Sequence, residues 1–227
     1  MSIDITPLFV SLKTTIVATA ITFGLGVLSA WWMGNYRGPG KRLIDLLFML
    51  PLVLPPTVVG FFLLMILGKN GPVGSYFFKI GAPIIFSWPA TVIAATIVAF
   101  PLMYKTAAVA LGAMDANLFE ETRLLGASNW QIFWLVALPV AWPGLTSGIA
   151  LSFARTMGEF GATLMLAGNI PGRTQTIPLA LFAASESGDY YSAMIWVLLM
   201  LGLSGIWLLG TQSEGLLNVW GKSYHSG

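Results

Sequence analysis

Arg155 and Glu159 stand four residues apart in an otherwise apolar stretch, ALSFARTMGEFGATLML from Ala150 to Leu166. On a helix that spacing puts both side chains on one face, close enough to pair. Charge inside a membrane span is costly and is kept for ion passage, proton relay or pairing. Two chemistries follow for this pair. Either the groups neutralise each other, or Arg155 lines the path of an anion while Glu159 keeps that positive charge from trapping it. A second polar set, Glu120, Glu121 and Gly126, lies in MDANLFEETRLLGASNWQIFWLVALP, residues 114–139. The third candidate, Gly215 with Gly221-Lys222-Ser223, falls short of a phosphate loop. Five residues separate the glycines where four are needed, and no strand precedes them.

The rest of the chemical inventory excludes whole classes. With no cysteine there is neither a disulfide nor a thiolate metal site, and the single histidine, His225, sits in the tail. Zinc, haem and iron–sulfur chemistry are not expected, and one tail histidine cannot serve a Ser-His-Asp set. A net charge of +2 with scattered basic residues gives no footprint for nucleic acid. No catalytic residue, metal site or cofactor of its own is therefore expected in this chain.

The elements that must position these residues are membrane helices. The 227 residues are 56% hydrophobic and only 9% charged, with a mean hydropathy of +0.81. An ordinary soluble domain carries roughly 25% charge. Lipid offers the backbone no hydrogen-bond partner, so runs of about 20 apolar residues must cross as helices. Five such runs are expected, near 8–33, 43–67, 84–110, 140–166 and 191–209. The first is too long and too glycine-interrupted for a signal peptide, so it is expected to remain in the mature protein. Segment 175–185 is apolar but short and broken by Pro178, which suits a re-entrant or interfacial piece.

Lys and Arg set the orientation. With the N-terminus outside, the inner segments hold Arg37, Lys41, Arg42, Lys105, Arg123 and Lys222; the outer ones hold Lys69, Lys79 and Arg173, with Lys13 snorkelling outward. The expectation is an all-α, single-domain bundle of five spans covering 1–227, N-out and C-in. No regulatory domain is expected after the fifth span. Trp31, Trp32 and Trp88 fall at predicted membrane boundaries as interfacial anchors.

This places 114–139 in the cytoplasm. Asp115 is suited to N-cap a helix running to about Leu125, and Gly126 to end it in a left-handed conformation. Ser128 with Gln131 three residues on forms a capping-box pattern for a second helix, which Pro139 is expected to end.

The spacing Glu120-Glu121-Thr122, three residues, Gly126, nine residues, Val136-Ala137-Leu138-Pro139 resembles the EAA loop of ATP-binding-cassette importer permeases, E-A-A-x3-G-x9-I-x-L-P. Glu121 and Thr122 replace the alanines, and Val136 replaces isoleucine. Residues 50–74 (LPLVLPPTVVGFFLLMILGKNGPVG) and 155–182 (RTMGEFGATLMLAGNIPGRTQTIPLALF) resemble molybdate permease subunits of the same class. The resemblance implies a type I importer permease of the inner membrane. Glu120, Glu121, Gly126, Ala127, Leu138 and Pro139 would couple it to a cytoplasmic ATPase. The implied partners are a second copy of the chain, two ATPase subunits that bind ATP and Mg, and an extracytoplasmic oxyanion-binding protein. Tungstate and sulfate permeases are neighbouring families, and all three cargoes are tetrahedral dianions.

Helix breakers suggest where a pathway would run. Pro51, Pro55 and Pro56 interrupt the second span, and Gly158, Gly161 and Gly168 loosen the fourth and its outer end. Pro55, Pro56, Arg155, Gly158, Glu159 and Gly161 are thus candidates for pathway and gate, although packing through small residues accounts for glycine in spans equally well. Loops 68–83 and 168–190 would form the outer mouth. Ion-driven transport, a membrane enzyme and a non-transporting scaffold are the competing classes. The first would show buried acids, of which Glu159 is the one candidate deep in a span; the second needs a cluster of polar groups at one depth, where only Arg155 and Glu159 are found; the third leaves the acidic, capped loop without a role.

Overall fold

The computed structural model describes residues 4–223; the side chains of Ala116, Asn117, Phe119, Glu120, Leu208 and 212–223 lie outside that description, as does His225. Helix is the only regular structure among the described residues. Four helices are long and apolar enough to cross a bilayer: α1 (Thr6–Asn35), α5 (Trp88–Gly112), the 29-residue run Asn129–Met157, and Tyr190–Thr211 within α11 (Tyr190–Ser223). The fifth expected span is a bent pair, α2 (Lys41–Val53) and α3 (Pro56–Leu67), which meet at 115°. Four shorter helices complete the outline among the described residues: α4 (Gly74–Lys79), α6 (Ala116–Leu124), α9 (Gly161–Ala167) and α10 (Ile177–Glu186).

Proline placement explains most boundaries. Pro7, Pro56, Pro89 and Pro178 occupy first-turn positions, where the missing N–H costs nothing. Pro178 therefore starts α10 rather than breaking it. At ten residues, α10 spans about 15 Å and is too short to cross. Pro51 does not break α2 either, because the helix continues through it; the break falls at Leu54 and Pro55. The third span begins at Trp88, after Ser87, rather than at residue 84.

α5 forms the centre of the bundle. Met103 and Ala107 are fully buried between α1 on one side and α8 (Leu138–Met157) on the other, and Ala90 and Ala94 are fully buried with Val59 and Leu63 of α3. Small residues set the approach. A methyl at Gly26 of α1 would stand 2.7 Å from Met103 Cγ, and one at Gly144 of α8 would stand 2.6 Å from Ala110 Cβ. Lipid is as apolar as the helices, so such close backbone packing drives association where burial from water cannot. Hydroxyl pairs add cross-links: Thr14 and Thr91 lie 3.0 Å apart between α1 and α5, and Thr19 and Thr156 lie 3.2 Å apart between α1 and α8. The Trp88 indole donates to Thr14, and Lys13 lies 3.9 Å over its ring, consistent with a cation at the aromatic boundary.

Candidate functional site

The loop after α5 folds as expected at its start and differently at its end. Asp115 immediately precedes α6, and its carbonyl accepts from the Leu118 N–H. At the other end Gly126 takes φ +85°, the Gly126 N–H donates to the Arg123 carbonyl, and the Ala127 N–H to that of Thr122. Those two bonds form a Schellman ending, which needs the left-handed residue that glycine supplies at least strain. Ser128 then opens α7 (Asn129–Ile132) with a complete capping box. Its hydroxyl accepts from the Gln131 N–H, and the Gln131 side chain accepts from the Ser128 N–H.

The second helix does not stop at Pro139. A π-helical stretch, Phe133–Ala137, joins α7 to α8 in one continuous run. The Leu138 N–H reaches five residues back to the Phe133 carbonyl. That widened turn takes up the residue without an N–H, so the proline is carried instead of terminating the helix. Phe133 and Ala137 are buried against the bundle and Leu138 is half-buried on it. From Asn129 onward the loop is thus continuous with the fourth span, and α6 joins it through the turn at Gly126. Glu121 and Gly126 are exposed, as are Leu124 and Leu125 at 87% and 88%, and Ala127 is half-exposed. Glu120 lies on α6, with its side chain outside the described residues.

The fourth span ends at Met157, not near residue 166. Gly158, Glu159 and Phe160 interrupt it, and the short helix α9 (Gly161–Ala167) resumes. Glu159 sits in that break with 2% of its side chain exposed, and serves two groups there. One oxygen accepts from the Ala162 N–H at 2.8 Å, satisfying the start of α9. The other lies 2.9 Å from an Arg155 terminal nitrogen, an ion-pair contact without hydrogen-bond alignment. The pairing predicted from spacing is therefore present, and Arg155 keeps 29% of its side chain exposed.

The two broken helices meet. A methyl at Gly161 would approach Thr57 and Pro56 at 3.1–3.3 Å, and one at Gly60 would stand 2.8 Å from the Ala162 Cα. Pro55, Pro56, Glu159 and Gly161 are thereby collected where α3 and α9 start side by side. Gly161 and Gly60 act here as packing residues. Gly158 has more room, with no atom nearer than 3.7 Å to a methyl built there. One polar contact is absent from the sequence reading: the Tyr104 hydroxyl donates to Asp45 at 2.6 Å, tying α5 to α2. No local signal in the sequence marks it, because the two residues are 59 positions apart. Among the described residues no group of His, Cys, Asp and Glu could hold a metal ion, and the Gly215 to Ser223 segment lies on α11, not in a loop.

The described architecture has known counterparts. A putative molybdenum transport system permease protein, YvgM of Bacillus subtilis, is 43% identical over 212 residues, 92% of each chain. The molybdenum transport system permease protein ModB of Escherichia coli is 40% identical over 178 residues, 78% of each. The E. coli sulfate transport system permease protein CysT is 35% identical over 184 residues, 81% of this chain and 66% of that one. A bacterial ABC transporter for alginate import shares the fold, with a TM-score of 0.75 at 14% identity over 92% of this chain and 78% of its own. The family pattern described as binding-protein-dependent transport system inner membrane component matches residues 23–215. This chain belongs to that family, as a multi-pass component of the inner membrane.

Proposed function

We propose that this chain is the permease subunit of a molybdate importer driven by ATP hydrolysis on a separate chain. The observation that carries the coupling half is the capped arm at 114–139. It presents exposed Leu124 and Leu125 at one end and runs unbroken into a span at the other. A motor holding that arm through Glu120, Glu121, Gly126 and Ala127 would move α8 as a rigid body, with Leu138 and Pro139 at the junction. The ATP and Mg would be bound by that partner. Five spans enclose no sealed conduit alone, so a second copy across a two-fold axis would complete the pathway. An external binding protein would deliver the anion to loops 68–83 and 168–190.

Support for molybdate comes from relatives carrying that description at 40–43% identity, against 35% for the sulfate permease. Within each subunit the junction of α3 and α9 is the gate on this reading. Pro55, Pro56, Gly158 and Gly161 shape the breaks, and Arg155 with Glu159 sets the local charge. Two measurements test it. Changing Gly126 to a bulky residue should abolish co-purification with the ATPase and ATP-coupled uptake; unchanged assembly and uptake would refute the coupling role. Labelled molybdate, tungstate and sulfate in competition should show molybdate preferred, and a preference for sulfate would transfer the assignment to the neighbouring family.

A further inference from the structure

A cavity of about 630 Å3 opens where α1 ends, α2 begins, α5 ends and α6 packs. Four of the chain's eleven Lys and Arg residues line it: Arg37, Lys41, Arg42 and Arg123. The one acid in the lining, Asp45, already accepts the Tyr104 hydroxyl. Four positive charges against one negative leave the cavity with a net +3. The ion pair between Arg155 and Glu159 is the one salt bridge among the described residues, so none of these four cations has a carboxylate within contact distance there. Arg123 gives one terminal nitrogen to the Asn129 side chain at 3.1 Å and keeps its other donors. The floor is different in kind, with Ala30, Met33 and Leu111 buried or nearly so.

A basic rim over an apolar floor at the end of membrane helices suits a phosphate group more than any neutral ligand. Guanidinium forks match phosphate oxygens, and basic pockets between spans on the inner side are where anionic headgroups bind. We propose that this cavity binds a phosphate group, held from one side by the α1–α2 turn and from the other by Arg123 of the coupling arm. The occupant would therefore bridge the arm to the bundle at a place remote from the α3–α9 junction. The apolar floor favours a phospholipid of the inner leaflet, whose first acyl carbons it would take; free phosphate shares the headgroup chemistry. The proposal does not depend on the cargo.

Native mass spectrometry of the full-length chain in its transporter complex, titrated with phosphatidylglycerol, phosphatidylcholine or inorganic phosphate, tests it. Phosphatidylglycerol should be retained over phosphatidylcholine. Each basic residue near a headgroup contributes about 1 kcal/mol, about fivefold in affinity. Arg123→Gln should then weaken retention about fivefold, and the triple variant Arg37→Gln, Lys41→Gln, Arg42→Gln about a hundredfold. The matched outer triple Lys69→Gln, Lys79→Gln, Arg173→Gln should change it less than twofold. Where the inner triple does not assemble, its exposed single variants carry the same fivefold expectation. Binding of inorganic phosphate that is lost in the inner variants, without selectivity between lipids, would support the site with a soluble occupant. Equal retention of both lipids with no phosphate binding, or equal losses in the inner and outer triples, would overturn it.

Discussion

The Arg155 guanidinium and the Glu159 carboxylate stand 2.9 Å apart across the end of α8, and the same carboxylate caps the start of α9. Removing the arginine leaves a buried anion with only a backbone partner, whereas removing both charges leaves a neutral amide that still accepts from Ala162. Breaking one side of a buried pair is costlier than replacing the pair. Because Arg155 is partly exposed, Arg155→Gln is expected to cost about 2 kcal/mol, and Arg155→Gln with Glu159→Gln clearly less. Thermal unfolding of the purified complex in nanodiscs checks the order; a double variant less stable than Arg155→Gln would contradict it.

The approach of α3 to α9 predicts a graded response to added methyl groups. At Gly60 the new carbon meets the Ala162 Cα at 2.8 Å and the Ala162 carbonyl oxygen at 3.1 Å, both backbone atoms that cannot swing away. Overpacking of that kind costs roughly 2 kcal/mol or more. At Gly161 the neighbours lie at 3.1–3.3 Å and can yield slightly, so Gly161→Ala should cost less. Gly24 of α1 has nothing within 4 Å, and there alanine should gain about 0.5 kcal/mol through helix propensity alone. Melting temperatures should rank Gly24→Ala above wild type, then Gly161→Ala, then Gly60→Ala.

Local signals in the sequence suffice where a single turn of chain decides the geometry. Gly126 and the Ser128 to Gln131 box each depend on residues within five positions, and both formed as predicted. The Arg155 to Glu159 spacing likewise gave the pair, although the helix ends between them at Met157. Proline was the poorer guide. Pro139 carries a π turn, Pro51 is passed over, and only Pro55 marks a break, because neighbouring helices decide whether a missing N–H is absorbed or terminates the run. The meeting of α3 with α9 and of Tyr104 with Asp45 joins residues about 60 to 100 apart, and no periodicity in one sequence reports such a contact.

The capping box at the arm makes a local prediction. Ser128→Ala removes the acceptor for the Gln131 N–H, and loss of a Ser cap costs about 1 kcal/mol. The bulk of the bundle does not depend on that bond, so the melting temperature should move little. Hydrogen exchange should instead accelerate by about fivefold over residues 128–132, with the α5 amides unchanged. Equal protection in both proteins would show that packing of Phe133, not the cap, holds the arm.

Asp189 predicts a pH effect outside the spans. Hydrogen bonds from the Ser192 side chain, and next from its backbone N–H at 3.1 Å, hold this carboxyl below the usual carboxylate range at the start of α11. A folded pKa below the unfolded value of about 4 means the contribution is complete above that value and is lost as pH falls through the folded one. The melting-temperature gap between wild type and Asp189→Asn should therefore be constant above about pH 5 and close as the pH drops below about 4. A gap that widens on acidification would reverse the sign.

Tyr104 and Asp45 make the last prediction, because their bond is the polar tie between α2 and the bundle centre. No residue of α2 is fully buried: Ile44, Phe48 and Met49 pack half-buried on the central core while Leu43, Leu46, Leu47 and Val53 are exposed, so one face alone holds the helix before the bend at Leu54. Hydrogen bonds to charged groups contribute about 1.5–3 kcal/mol. Tyr104→Phe keeps the ring stacked on Phe100 and edge-to-face with Phe48, and removes only the hydroxyl. α2 should then exchange its amides at least tenfold faster while α5 stays protected. Slower or unaltered exchange in α2 would mean that the aromatic contacts of Phe48 suffice to hold it.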